Sequence, residues 1–325
     1  MTQQDLEHAA QPGSRPKTTW IRAHLIPVTC AALIVSVLAA LAVVHLTNTP
    51  SPPAHLGPVR YVGVYTRGAP TSYAGVDQFS QEIGTQPDVV SYYSSWGEPF
   101  QMRFAKTVAR HGATPLVQMN PANVSLAAIA SGAYDSYLRS FAEAVRSYHH
   151  PVIVGFGHEM NGWWFSWGYR HTSPQTFVAA WRHIVTVFRA QGATNATWLW
   201  TVNIVDTHGG IRAPGPWWPG SSYVTWVGID GYYFKSSWSF APLFGPTIKA
   251  VKAITKDPIL VAETGAGQIA GQTAKIADLF TGIRTYGLLG FVWFDAVAIQ
   301  DWRLEGPPAF HAFRQGMKVY KRSTP

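Results

Sequence analysis

The sequence predicts an α/β protein, a (β/α)8 barrel of the TIM type preceded by a single apolar helix. Three observations lead there. Apolar, β-rich runs recur eight times after residue 58, amphipathic stretches lie between them, and the runs are hydrophobic almost throughout. Continuous hydrophobicity marks strands covered on both faces, as parallel sheets are. The chain has 325 residues, and single barrels of this kind commonly take about 250.

The runs are Val59–Tyr65, Val89–Trp96, Thr114–Met119, Pro151–Gly157, Ala196–Val202, Val224–Tyr232, Ile259–Ala262 and Leu289–Phe294. Helices are expected over Tyr134–Tyr148 and Pro174–Gln191. The second has Ser173 as N-cap, Pro174 at the first helical position and Gly192 as its stop. An open doubly wound sheet is the competing architecture, but no GxGxxG follows the first run.

The barrel is expected over residues 59–325, and what precedes it reads as an address. Residues 25–46 include Leu25 to Val44 without a single charge, about the length of a membrane-spanning helix. Arg15, Lys17 and Arg22 stand before it and no comparable cluster stands after it. Residues 1–24 are therefore expected to be cytoplasmic and the barrel extracytoplasmic, on a single-pass membrane anchor. Cleavage as a secretory signal, after Ala40-Leu41-Ala42, is the competing outcome. Pro50, Pro52, Pro53 and Pro58 make residues 47–58 a stiff linker.

Composition narrows the function. The formal charge is +8, but the basic residues are scattered, with no run of five and no nucleic-acid motif. Nucleic acid is therefore not an expected partner, and a monomer is expected. Cys30 is the only cysteine, so no intrachain disulfide forms. Fourteen tryptophans against 13% charged residues suggest an aromatic-lined cleft.

In such barrels the chemistry sits at the C-terminal strand ends. That rule collects His158 and Glu159 after the fourth run, Asn203 after the fifth, and Asp230 and Tyr232 at the sixth. Glu263 follows the seventh run, and Trp293 and Asp295 stand at the eighth. A buried carboxylate is costly unless paired or used, and two glutamates on opposite strands suit acid/base and nucleophile roles. The loop Trp163-Trp164-Phe165-Ser166-Trp167 offers indole faces on which sugar rings can lie. A zincin would need His-Glu-x-x-His, and the fourth position after His158 is Gly162. No metal or organic cofactor is expected.

Together these residues resemble glycoside hydrolase family 26, the β-mannanase family within the clan of retaining (β/α)8 glycosidases. The resemblance rests on His158-Glu159-Met160-Asn161-Gly162-x-Trp164-x-x-Trp167-Gly168, on Trp226-Val227-Gly228-Ile229-Asp230-Gly231-Tyr232 and on Ala262-Glu263-Thr264-Gly265. Trp218-Pro219-Gly220 and Asp301-Trp302-Arg303 support it. It implies Glu159 as acid/base and Glu263 as nucleophile, with His158, Trp164 and Tyr232 around the central sugar. Trp167, Asn203 and Trp293 are further candidates for substrate binding, as are Asp301 and Arg303. The implied substrate is a β-linked polysaccharide, first of all β-1,4-mannan. Mixed-linkage β-glucan and β-1,3-xylan remain open. So do a role in trimming an exopolysaccharide at the membrane and an inactive glycan-binding barrel.

If residues 25–46 remain as an anchor, full-length protein will fractionate with membranes and its C-terminus will be open to external protease. A soluble form beginning near Val43 would instead identify a cleaved signal.

Overall fold

The computed structural model describes residues 60–206, 210–267 and 271–318. The expected tail, anchor and linker over residues 1–24, 25–46 and 47–58, Cys30 among them, lie outside those residues. No helix among the described residues is long and apolar enough to cross a membrane.

Eight parallel strands close into a barrel in sequence order: β1 Tyr61–Thr66, β2 Val89–Ser95, β3 Thr114–Asn120, β4 Val152–Phe156, β5 Ala196–Asn203, β6 Trp226–Asp230, β7 Ile259–Thr264 and β8 Gly290–Asp295. Closure is made by β1 against β8, paired from Tyr61–Gly290 to Thr66–Asp295. The helices are α1 Ala74–Ile83, α2 Met102–Arg110, α3 Leu126–Ala130, α4 Asp135–Tyr148, α5 Pro174–Ala190, α6 Phe240–Lys252, α7 Gln272–Tyr286 and α8 Gly306–Met317. In α5, Ser173 accepts a bond from Thr176 N at 3.1 Å, satisfying one of the free N–H groups of the first turn. Gly192 just past its end takes φ 72°, the left-handed conformation that glycine adopts freely.

One expectation of the regular alternation fails. Between β5 and β6 the described residues hold no α-helix, only the short 3-10 turns Gly215–Trp217 and Ser221–Tyr223. Gly and Pro are dense in this connection, and proline deprives a helix of donors.

Strand pleating sorts the side chains into two shells. Val89, Leu116, Ile153, Leu199, Leu260 and Val292 fill the barrel interior. Their neighbours Val90, Val117, Val154, Trp200, Val261 and Phe291 face the helices. Two glycines make room inside for larger partners. A Cβ on Gly155 would meet Gln118 Oε1 at 1.9 Å, and one on Gly228 would meet Thr201 Oγ1 at 2.3 Å.

The same parity places Trp293. Val292 points inward, so Trp293 points outward, its ring fully buried beside Phe313 of α8 and its Nε1 donating to the Trp302 carbonyl at 3.0 Å. The expectation of a sugar-binding indole at this position is therefore corrected. Phe294 takes the inward place at the mouth, 4.6 Å from Tyr65. Trp293→Ala should cost about 3–5 kcal/mol of stability, as large core truncations do. Urea unfolding checks it, and an unchanged midpoint would show that the helix layer closes over the gap.

Candidate active site

Glu159 owes its aim to a turn with two left-handed residues. Strand β4 ends at Phe156, and Gly157 at φ 53° and Glu159 at φ 56° then swing the chain across the barrel mouth. A left-handed glutamate is strained and persists only where its surroundings fix it. Here Gly157 N donates to the Met119 carbonyl at 3.0 Å and Glu159 N to the Thr201 carbonyl at 2.9 Å. The ladder to β3 and β5 thus runs on through the turn.

The side chain of Glu159 is buried. Its Oε2 accepts from Trp164 Nε1 at 2.7 Å, and its Oε1 accepts from Asn203 Nδ2. Burial and the nearby Glu263 charge push its pKa up to about 8, against the opposing pull of those two donors.

Glu263 reaches the cleft through a fault in the sheet. Leu260 and Ala262 both point inward, so an unbroken strand would turn Glu263 outward to the helices. The β6–β7 register slips between Ile229–Val261 and Asp230–Glu263. This bulge resets the alternation and turns the carboxylate in, a use bulges commonly have beside active sites. Glu263 then accepts from Tyr232 OH at 2.8 Å and from Tyr93 OH. Burial raises its pKa above the ordinary carboxylate value, against the opposing pull of the two phenols. The donors thus favour the ionised form, while Glu159 also feels the repulsion of Glu263.

Between the glutamates the register runs Asn203–Asp230 and then Asp230–Glu263. Asp230 is fully buried. Burial and the two glutamates hold its pKa well above the ordinary carboxylate range, against the pull of the Glu263 backbone N–H. His158 is buried among Tyr93, Phe165 and Trp167, with ring centroids 4.9–5.8 Å away. Burial drives its pKa down to about 3, so it is neutral.

Of the remaining candidates, Trp164, Asn203 and Tyr232 are gathered at the two carboxylates, each through a hydrogen bond. Trp167 is not in the cleft. It is buried, stacked on Phe165 at 4.3 Å, with Nε1 donating to the His158 carbonyl at 2.8 Å. Its expected contact with substrate is corrected to support from beneath, because the loop folds this indole under His158. Asp301 and Arg303 bind each other at 2.5 Å on the rim. They border the ends of β1 and β8 with Asp295, whose pKa burial lifts to about 7.

Tyr93 was absent from the candidates. Its strand, Val-Val-Ser-Tyr-Tyr-Ser-Ser, carries five hydroxyls, and nothing in its periodicity marks the one that reaches Glu263. The strand-end rule applied to β2 would have flagged it. Trp302 packs 4.8 Å from Tyr232 and supports that phenol from behind. Among the described residues no group of three His, Cys, Asp or Glu could hold a metal ion.

The model of glycosyl hydrolase family 26 matches residues 102–295, a span from α2 to the end of β8 that includes both glutamates. The chain belongs to glycosyl hydrolase family 26. Endoglucanase H of Acetivibrio thermocellus is 32% identical over 267 residues, 77% of this chain and 29% of that one. Mannan endo-1,4-beta-mannosidase A and B of Caldalkalibacillus mannanilyticus is 29% identical over 83 residues, 23% of this chain and 15% of that one. The chain thus spans less than a third of the length of either. Two solved structures share the fold at 16% identity. An endo-beta-1,4-mannanase double mutant of Cellulomonas fimi gives a TM-score of 0.63, covering 79% of this chain and 70% of that one. Mannanase man26 of Bacillus subtilis gives 0.61, covering 78% and 84%.

Because Tyr93 donates to Glu263, Tyr93→Phe should move the Glu263 titration to higher pH. Carboxyl-carbon NMR of the variant reads this directly. An unmoved titration would show that the phenol adds nothing to the ionised form.

Proposed function

We propose that this barrel is a retaining endo-glycoside hydrolase that cleaves a β-linked polysaccharide, first of all β-1,4-mannan, by double displacement. The observation that carries it is the contrast between two buried carboxylates in one cleft. Glu263 is held by two hydroxyl donors, and Glu159 has its pKa pushed up to about 8. One is suited to attack as an anion and the other to keep its proton at neutral pH.

In the first step a Glu263 oxygen bonds to the anomeric carbon as the glycosidic C–O bond breaks. The Glu159 proton passes to the departing oxygen. In the second, Glu159 takes a proton from water, whose oxygen displaces Glu263 and restores both side chains. Asn203 and Trp164 hold Glu159 in place through both steps. His158, its pKa driven down to about 3 by burial, is neutral and adds no charge beside them. The relative named an endoglucanase, at 32% identity, favours a β-glucan as the second reading of the substrate. We also place the barrel outside the membrane on residues 25–46, a reading that rests on the charges flanking that segment.

Glu263→Ala should abolish turnover. Glu159→Ala should still form the glycosyl-enzyme from substrates with good leaving groups, and azide should rescue it to a β-glycosyl azide. In the wild type kcat/KM should fall on the alkaline side near pH 8, as Glu159 loses its proton. An α-configured first product would exclude retention, and equal unrescued loss in both variants would exclude the division of roles.

A further inference from the structure

The loops that follow β4 and β5 build a second feature beside Glu159, one the double displacement does not use. Asn161, two residues beyond Glu159, is fully buried and joins the loops. Its Nδ2 donates to the Asn203 carbonyl at 2.9 Å and to the Arg212 carbonyl at 3.0 Å, and Arg212 N donates back to the Asn161 carbonyl at 3.0 Å. Arg212 is thereby fixed to the same frame as the acid. Its guanidinium lies 4.5 Å over the Tyr169 ring and its Nη2 donates to Tyr169 OH.

Arg170 approaches the same ring at 5.6 Å. It holds φ 79°, a left-handed conformation uncommon for a long side chain. The exposed Trp163 borders the group: a Cβ on Gly210 would lie 3.8 Å from its ring and 4.0 Å from Arg170 Nη2. Arg170 and Arg212 are solvent-exposed. Two guanidiniums on one phenol, next to an open indole, form a cationic platform. A guanidinium binds a carboxylate through two parallel hydrogen bonds, and an indole face takes the sugar ring that carries it.

We propose that this platform recognises carboxylates on the leaving-group side of the cleft, so that the preferred substrate is a β-linked polysaccharide bearing uronate residues there. The inference rests on the proposed role of Glu159. A proton donor stands beside the departing oxygen, so the sugars beyond that oxygen run over the loops that Asn161 joins. A neutral polymer gains only the indole face, whereas a uronate gains the two cations as well.

The test uses a β-1,4-mannan and the same polymer with part of its C6 hydroxyls oxidised to carboxylates. At low ionic strength kcat/KM for the oxidised polymer should exceed that for the neutral one by roughly tenfold, the scale of a hydrogen bond to a charged group. The ratio should fall toward one at about 1 M salt, where screening acts over roughly 3 Å. It should also fall in the double variant Arg170→Gln, Arg212→Gln. Mass spectra should place carboxylates at the new non-reducing ends, which come from the leaving group. A wild-type ratio of one or less, or a ratio unmoved by both salt and substitution, overturns the proposal.

A binding arm separates this inference from the hydrolase reading. Glu263→Gln protein is titrated with oxidised and neutral manno-oligosaccharides, with and without the two arginine substitutions. Arginine-dependent preference for the oxidised sugar, together with wild-type protein that cleaves neither polymer, keeps the platform and removes the hydrolase. Cleavage of neutral mannan without any such preference removes the platform and keeps the hydrolase.

Discussion

Much of this structure depends on the exclusion of water from two carboxylates that face one cleft. Removing a carboxylate from water disfavours its charge, and a second carboxylate nearby disfavours it further. Equal environments would leave the pair sharing one proton with no assigned owner. The barrel breaks that symmetry with donors. Two phenols meet Glu263, whereas an indole and an amide meet a Glu159 that also feels the Glu263 charge. Burial and the same two glutamates push the pKa of Asp230 upward as well.

Aiming those side chains takes two irregularities that a regular barrel lacks. Glu159 sits in a left-handed turn secured by backbone bonds to β3 and β5. Glu263 turns inward only because β7 slips register against β6. Both cost local regularity, and both stand where the closed sheet is stiff enough to hold them. Asn161 then carries the geometry outward, tying the frame of the acid to the loop that presents Arg212. The Glu159 turn and the loop that carries Arg212 are therefore set by one hydrogen-bonded unit.

The aromatic residues divide into layers with different work. Trp164 and Tyr232 stand at the carboxylates, half-buried, with their polar atoms bound to them. Trp167 and Trp302 lie behind, buried, supporting His158 and Tyr232 in turn. Trp293 lies farther out still, between the sheet and α8. Trp163, at 36% exposure, is left to solvent at the edge of the arginine platform. Composition alone gives the five tryptophans the same letter.

The sequence by itself determined the barrel, because doubly covered parallel strands need unbroken apolar runs, and such runs are visible in one dimension. It also determined which two glutamates stand at strand ends, since the strand boundaries lie within two or three residues of those expected. Which way a side chain points was not so determined. One slipped register reverses it at Glu263, and the unbroken pleat of β8 sends Trp293 outward. Likewise Tyr93 lies 170 residues from Glu263 along the chain, so only closure of the barrel brings its hydroxyl to that carboxylate. Local pattern fixes which elements form. Long-range packing decides which atoms meet, because hydrogen bonds and charges act across the barrel mouth and not along the chain.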